Sequence, residues 1–186
     1  ISLSDLRQFK TDGRKFSCLT CYDASMAKAM EIAEVDSILI GDSLGMSIQG
    51  RDSTLPVTVE DMAYHTAAVR RGNQHAFIMT DLPFMSYATL NDALISSKTV
   101  MQAGAQMVKM EGGAWLSETV TVLTRNGIPV CVHLGLTPQS VHVFGGYKLQ
   151  ARTREAADQL IADCKAVVEA GAALLLLECV PAQLGK

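Results

Sequence analysis

Residues 102–111 read QAGAQMVKME, and residues 169–178 read EAGAALLLLE. In both stretches Ala-Gly-Ala follows the first residue, an apolar run comes next, and a glutamate stands at the last place. A glycine at the end of a helix followed by a short apolar run is typical of a βα protein with buried parallel strands. The copies differ inside the run, where Lys109 stands at the place of Leu176. The frame therefore predicts the fold, and the lysine indicates a function.

The same alternation extends along the rest of the chain. Strand-length apolar runs occupy residues 16–22, 37–41, 76–80, 107–110, 129–132 and 173–177. The segments between them predict helices at 3–9, 25–33, 58–71, 89–104, 115–125 and 154–170, with a further helix beginning in 180–186. Thr58 with Asp61, and Thr89 with Asp92, have the spacing of residues that cap a helix N-terminus. Repeated βα units of this kind predict parallel strands joined by right-handed crossovers.

Two architectures fit this pattern, a closed (β/α)₈ barrel and an open doubly wound sheet. No GxGxxG motif follows the first strand, which disfavours the dinucleotide-binding form of the open sheet. A full barrel usually takes about 250 residues, whereas this chain has 186. We therefore predict an α/β fold of the (β/α)₈ TIM-barrel class, one barrel domain over residues 1–186, incomplete at its C-terminus with about six βα units. The segment 3–9 could close the bottom of the barrel.

Composition excludes several classes of partner. The chain is 48% hydrophobic and 19% charged, with a net charge of −3, and its basic residues do not form runs, so nucleic acid is not an expected partner. No apolar stretch reaches the length of a membrane span, and no signal peptide opens the sequence, so a membrane is not expected either. Five cysteines, an odd number, favour reduced thiols and a cytoplasmic location.

Four of the six strand runs end in an acid, and these acids indicate a metal site. They are Asp42, Asp81, Glu111 and Glu178. Strand alternation places each acid on one face with the residues two and four positions earlier, so that four carboxylates would converge at the barrel mouth. Each acid alone could instead cap a helix or lie in a surface loop. Clustered carboxylates repel one another unless a cation lies between them, and oxygen-only ligands favour Mg²⁺. One acid would then be free to act as a base.

Three other features leave alternatives open. Lys109 lies within an apolar strand, where it could form a structural ion pair or anchor an anionic substrate such as a carboxylate. His133 ends a strand and could be a structural or a functional group. The loop 135–152 is long for a βα connection, and it could be a lid over the mouth or an ordered packing loop.

The sequence closely resembles the ketopantoate hydroxymethyltransferase family from near residue 15 to its end. The resemblance is carried by the blocks LTCYDASMAK, ILIGDSLGMSIQGRDSTLPVTVEDMAYHTAAVRRG, TDLPFMSYAT, MVKMEGG, PVCVHLGLTPQSVHVFGGYKLQAR and LLLLECVPAQL. It implies a (β/α)₈ barrel, assembled as a homo-oligomer that is a decamer of two pentamers. It also implies transfer of a hydroxymethyl group from 5,10-methylenetetrahydrofolate to 3-methyl-2-oxobutanoate, giving 2-dehydropantoate. Family members continue with a seventh strand, a glycine-rich segment and an eighth unit.

The resemblance also implies roles for individual residues. Asp42, Asp81 and Glu111 match the family's metal ligands, which hold Mg²⁺. Asp42, Ser43, Asp81 and Lys109 match the positions that bind the 2-oxo acid, and Glu178 matches the proton acceptor. The family's reaction would use the metal to stabilise an enolate after Glu178 removes the C3 proton, a role that burial of Glu178 would support by raising its pKa.

Two other functions remain open at this point. The first is another Mg²⁺-dependent enzyme of the phosphoenolpyruvate/pyruvate barrel type, such as a 2-oxo acid lyase or mutase. The second is an incomplete barrel that serves only as an assembly or binding subunit.

Overall fold

A computed structural model describes residues 1–185 and contains one six-stranded parallel sheet. The strands are β1 (Cys18–Thr20), β2 (Ser37–Ile40), β3 (Phe77–Asp81), β4 (Met107–Glu111), β5 (Val130–Gly135) and β6 (Leu174–Glu178). Each strand pairs with the next one in the chain, in the order β1 to β6. A doubly wound sheet would reverse this order at a switch point. The sequential order confirms the barrel class, here as a curled wall of six strands.

One helix precedes the first strand, and the other helices lie in the connections between strands. They are α1 (Leu3–Thr11), α2 (Ala24–Ile32), α3 (Leu44–Ser47), α4 (Val59–Gly72), α5 (Leu90–Gln102), α6 (Ser117–Arg125), α7 (Val141–Phe144) and α8 (Arg154–Glu169). The two predicted caps are confirmed as capping boxes. Thr58 and Asp61 exchange backbone-to-side-chain hydrogen bonds at the start of α4, and Thr89 and Asp92 do so at α5. The short helices α3 and α7 were not predicted.

Two apolar layers lie on opposite faces of the sheet. The outer layer packs strand residues such as Ile78 and Val132 against the helices. The inner layer joins Phe77, Met107 and Cys131 to Leu6 of α1. The N-terminal helix therefore packs against the bottom of the barrel interior, as its amphipathic sequence predicted.

Three local predictions are wrong. The run 16–22 was expected to be buried on both faces, but β1 is exposed because it is an edge of the described sheet. Ile38 and Ile40 were expected on the interior face with Asp42, but both pack in the outer layer, and Leu39 lies inside. Residues 180–185 contain no helix and form turns at 182–185; Lys186 lies outside the described residues.

No helix within residues 1–185 is both long and apolar enough to cross a bilayer.

Candidate functional site

A cavity of about 430 Å³ opens at the carboxyl ends of the strands. All six residues predicted for the site line it, namely Asp42, Ser43, Asp81, Lys109, Glu111 and Glu178. His133, Pro138 and Tyr147 also line it, so the fifth strand and the following loop contribute to its wall.

The register of the strands explains why these side chains meet. Asp81 of β3 is paired with Lys109 of β4, and Glu111 of β4 with His133 of β5. In a parallel sheet, paired residues project to the same face. Asp81 therefore lies beside Lys109, and Glu111 lies beside His133 one interior position closer to the mouth.

Asp42 reaches the cavity by a different route, because β2 ends at Ile40. The chain turns at Gly41, where a Cβ would lie 3.0 Å from Ser43 Oγ and 3.6 Å from Asp81 Oδ2. The turn directs the backbone N–H of Asp42 to Asp81 Oδ2, to which it donates a hydrogen bond of 3.1 Å. Glycine at position 41 leaves room for the Ser43 hydroxyl, which a Cβ would crowd.

Lys109 is buried and paired. Its Nζ lies 2.8 Å from Asp81 Oδ1, and both side chains are only 4% exposed. A second contact of 3.3 Å joins Nζ to His133 Nδ1. Burial alone lowers the pKa of Lys109, but the charges of Asp81 and Glu111 outweigh it and hold the pKa above its ordinary value. Lys109 is thus a cation that compensates part of the negative charge of the site.

Negative charge at Asp42 remains poorly compensated. Burial, and next the charge of Asp81, raises the pKa of Asp42 to about 7. Burial also raises the pKa of Asp81, against the opposing effect of Lys109. Two neighbouring buried carboxylates repel each other unless a proton or a cation lies between them.

The acids suit a divalent cation by the chemistry of their oxygens and by their position around one cavity, but their side chains lie too far apart to hold it as they stand. Within residues 1–185, no three His, Cys, Asp or Glu side chains lie close enough together to hold one metal ion. The three predicted ligands nevertheless line one cavity, and they offer only carboxylate oxygens, which Mg²⁺ prefers. The raised pKa of Asp42 marks the unbalanced charge that a cation would relieve.

Sequence reasoning missed Gln139, which lies between two of the acids. Its backbone N–H donates to Glu111 Oε2 at 2.9 Å, and its side-chain Nε2 donates to Asp42 Oδ2 at 2.8 Å. The hydroxyl of Tyr87 donates to Gln139 Oε1. Both side chains are buried. The position of Gln139, just after a strand end that faces the site, was the only signal available in the sequence.

His133 lies between Glu111 and Glu178. Its Nδ1 is 3.5 Å from Glu111 Oε1, and its Nε2 is 3.3 Å from Glu178 Oε2. Burial lowers the pKa of His133, but the two glutamates raise it above its ordinary value overall. His133 in turn lowers the pKa of Glu178, whose side chain is 43% exposed. The expectation that burial raises the pKa of Glu178 is therefore wrong, because the histidine contact outweighs the partial burial.

Ser43 lies at the rim of the cavity, where its Oγ is 2.7 Å from the hydroxyl of Tyr22. Tyr147, from the loop 135–152, lies across the rim and donates to the sulfur of Met46 at 3.6 Å. That loop contains α7 and one 3₁₀ helix, Pro138–Ser140, and it forms one wall of the mouth.

The matching family model and the similar proteins agree on one family. Residues 1–186 match the model of the ketopantoate hydroxymethyltransferase family. A 3-methyl-2-oxobutanoate hydroxymethyltransferase of Acinetobacter baumannii (strain AYE) is 90% identical over 186 residues, which are 100% of this chain and 69% of that protein. A protein of the same name from Psychrobacter sp. (strain PRwf-1) is 66% identical with the same coverage.

Solved structures with a similar fold are far more distant in sequence. Phosphonopyruvate hydrolase in complex with oxalate and Mg²⁺ has a TM-score of 0.70 at 14% identity, and the match covers 96% of this chain and 63% of that one. The 2,3-dimethylmalate lyase, a member of the PEP mutase/isocitrate lyase superfamily, has a TM-score of 0.66 at 17% identity, covering 95% and 63%. At these identities the similarity concerns the fold alone.

Proposed function

The chain belongs to the ketopantoate hydroxymethyltransferase family, and on this basis we propose the residues and co-substrate of its reaction. The one-carbon donor is 5,10-methylenetetrahydrofolate, and the acceptor is 3-methyl-2-oxobutanoate. The donor's methylene carbon forms a bond to C3 of the acceptor, water supplies the hydroxyl oxygen, and tetrahydrofolate and 2-dehydropantoate leave. The observation that carries this proposal is the shared cavity, in which three acids, a buried lysine and a half-exposed glutamate face one space.

Asp42, Asp81 and Glu111 would hold Mg²⁺, the cation named for a structural neighbour of the same fold. When bound, Mg²⁺ supplies Lewis-acid polarisation of the substrate's keto oxygen. Their burial and mutual repulsion, expressed in the raised pKa of Asp42, support this role. Charge balance favours the same assignment, because Lys109 alone cannot neutralise three carboxylates.

Lys109 would bind the carboxylate of the 2-oxo acid. An ammonium group has three N–H donors, so its contact with Asp81 is compatible with a second contact to the substrate. Ser43, exposed at the rim beside Tyr22, would donate to the same substrate. Together they would orient C3 toward the base.

Glu178 would remove the proton from C3. Its lowered pKa keeps it ionised at neutral pH, and its partial exposure to the cavity leaves an oxygen free to accept the proton. The substrate becomes acidic enough for this weak base only when its ketone is polarised. The enolate carbon then attacks the one-carbon unit of the folate.

The test is solvent deuterium exchange at C3 of 3-methyl-2-oxobutanoate, followed by proton NMR with Mg²⁺ and without folate. The wild-type chain should catalyse exchange, and Glu178→Gln should abolish it while retaining 2-oxo acid binding. Glu169→Gln, which changes an exposed glutamate at the end of α8, is the matched control and should exchange normally. Exchange at the wild-type rate in Glu178→Gln would remove Glu178 as the base.

A lyase or mutase reaction is now supported by fold similarity alone, at 17% identity or below. Dependence of 2-dehydropantoate formation on 5,10-methylenetetrahydrofolate distinguishes the transferase from it. Product formation without the folate would overturn the proposed donor.

A further inference from the structure

We propose that Gln139 sets the cation preference of the site by occupying one oxygen on each of two metal-binding acids, so that Mg²⁺ is bound in preference to Ca²⁺. This inference deepens the proposed function and rests on it, since it takes Asp42 and Glu111 as cation ligands.

The contacts of Gln139 are divided between the two acids. Its backbone N–H donates to Oε2 of Glu111 at 2.9 Å, and its side-chain Nε2 donates to Oδ2 of Asp42 at 2.8 Å. One oxygen of each carboxylate is thereby engaged. Oδ1 of Asp42 remains to face a cation, while Oε1 of Glu111 lies 3.5 Å from His133 Nδ1.

The orientation of the Gln139 amide is determined by its neighbours. Nε2 faces the carboxylate of Asp42 and the carbonyl oxygen of Leu82, 3.0 Å away, and both of these can only accept a hydrogen bond when Asp42 is ionised. Oε1 receives the hydroxyl of Tyr87, while that hydroxyl accepts the backbone N–H of Glu111 at 3.3 Å. A flipped amide would oppose acceptors to its own oxygen, so the donor stays directed at Asp42.

This arrangement is buried, and it can therefore withstand competition from water. Gln139 and Tyr87 are each 7% exposed, Glu111 is 5% exposed and Asp42 is 3% exposed. Hydrogen bonds from a fixed neighbour to a metal-binding carboxylate orient that carboxylate, and loss of such a contact typically weakens metal binding by about 10–100-fold.

The two cations differ in how they use carboxylates. Mg²⁺ requires near-ideal octahedral geometry and takes single oxygens beside water and substrate, whereas Ca²⁺ accepts six to eight oxygens, often with both oxygens of one carboxylate. A residue that occupies the second oxygen of two carboxylates disfavours the two-oxygen mode. Gln139 should therefore penalise Ca²⁺ more than Mg²⁺, and loss of its side-chain donor to Asp42 should reduce the discrimination.

The experiment measures Mg²⁺ and Ca²⁺ affinities of the full chain by calorimetric titration, without substrate. Gln139→Met removes the side-chain donor to Asp42 at similar volume and keeps the backbone N–H that donates to Glu111. Tyr87→Phe removes only the hydroxyl that donates to the amide oxygen. We expect Gln139→Met to weaken Mg²⁺ binding about 10-fold, to weaken Ca²⁺ binding less, and so to lower the Mg²⁺-to-Ca²⁺ affinity ratio. Tyr87→Phe should shift the ratio in the same direction by a smaller factor.

The matched control is Gln150→Met, in the same loop, where the side-chain amide donates to the carbonyl oxygen of Lys148. Its ratio should equal that of the wild type, and thermal unfolding of each variant reports whether it is folded. An unchanged ratio in Gln139→Met and Tyr87→Phe, or an equal loss for both cations, would overturn the role of Gln139 while leaving the metal site intact. Absence of Mg²⁺ binding by the wild-type chain would overturn the metal site of the proposed function, and this inference with it.

Discussion

Replacement of Lys109 by methionine should separate its structural role from its role toward substrate. The methionine side chain approximates the length of the lysine stem, so little volume is lost. What is lost is the charge 2.8 Å from Asp81 Oδ1, at a place where both side chains are 4% exposed. Removing one partner of a buried pair leaves the other charge uncompensated, at a cost of about 3–5 kcal/mol in the free energy of unfolding.

The size of this loss should depend on Mg²⁺. Without the cation, Asp81 and Asp42 can reduce the cost by taking up a proton, since burial raises the pKa of both. We therefore expect a loss near the lower end of the range, about 3 kcal/mol at pH 7. With saturating Mg²⁺ the cation replaces the ammonium as the counter-charge, and the loss should become smaller. Substrate affinity cannot be rescued in this way, because Lys109 is its proposed partner.

Two measurements on the same protein test this reasoning. Urea unfolding with and without Mg²⁺ gives the stability change, and calorimetric titration with 3-methyl-2-oxobutanoate in excess Mg²⁺ gives the affinity change, expected at about 2–4 kcal/mol. Lys98→Met, at an exposed position of α5, is the control and should change neither. A Lys109→Met variant with reduced stability but normal oxo-acid affinity would leave Lys109 as a structural ion pair only. A stability change below about 1 kcal/mol would refute the estimate for a buried pair.

Three further changes test the site and its supports. Asp81→Asn should weaken Mg²⁺ binding by about 10-fold or more, whereas the exposed control Asp52→Asn should not; an unaltered titration curve would count against the metal role. Asp36, whose pKa is lowered first by the backbone N–H of Ser17, should contribute about 1–2 kcal/mol of stability above its unfolded pKa of about 3.9. That contribution is lost as pH falls through the lower folded pKa, so the stability difference between wild type and Asp36→Asn should vanish in acid, and a pH-independent difference would contradict this. Gly135→Ala should cost about 2–4 kcal/mol, because φ is +89° and a Cβ would lie 2.3 Å from the carbonyl oxygen of Glu178; Gly13→Ala, where φ is +66° and nothing lies within 4 Å, should cost only the backbone strain, and equal losses would show that the contact with Glu178 is unimportant.

Features with local causes were predictable from the sequence. The capping boxes at Thr58 and Thr89 depend on residues three positions apart, and each predicted strand overlaps the observed one because a short apolar run has few alternatives in a βα pattern. The convergence of Asp81, Glu111 and Glu178 followed from alternation along β3, β4 and β6, since each acid is the last residue of its strand.

Alternation failed at β2 for a physical reason. Asp42 lies two residues beyond the strand end, so the pleat no longer decides which way its side chain points. The turn at Gly41 and the hydrogen bond to Asp81 decide it instead. The prediction assumed that the strand continues to Asp42, so it gave Ile38 and Ile40 the same face as that acid. Because β2 ends at Ile40, the direction of Asp42 says nothing about the two isoleucines, which pack in the outer layer.

Gln139 was missed because its role depends on three separate parts of the chain. It contacts Asp42, Leu82 and Glu111, which are 97, 57 and 28 residues away in sequence, and no local pattern encodes such a set. The type of residue is nevertheless informative in retrospect. An aspartate or glutamate at this place would add a fourth negative charge to a buried group of acids in which the pKa of Asp42 is already raised to about 7. An aliphatic residue would keep the backbone N–H that donates to Glu111 but would leave Asp42 Oδ2 without its donor. A neutral amide, which donates to one acid and accepts from Tyr87, satisfies the site without adding charge. For this reason the loop that carries Gln139 belongs to the proposed metal site as much as the strands do.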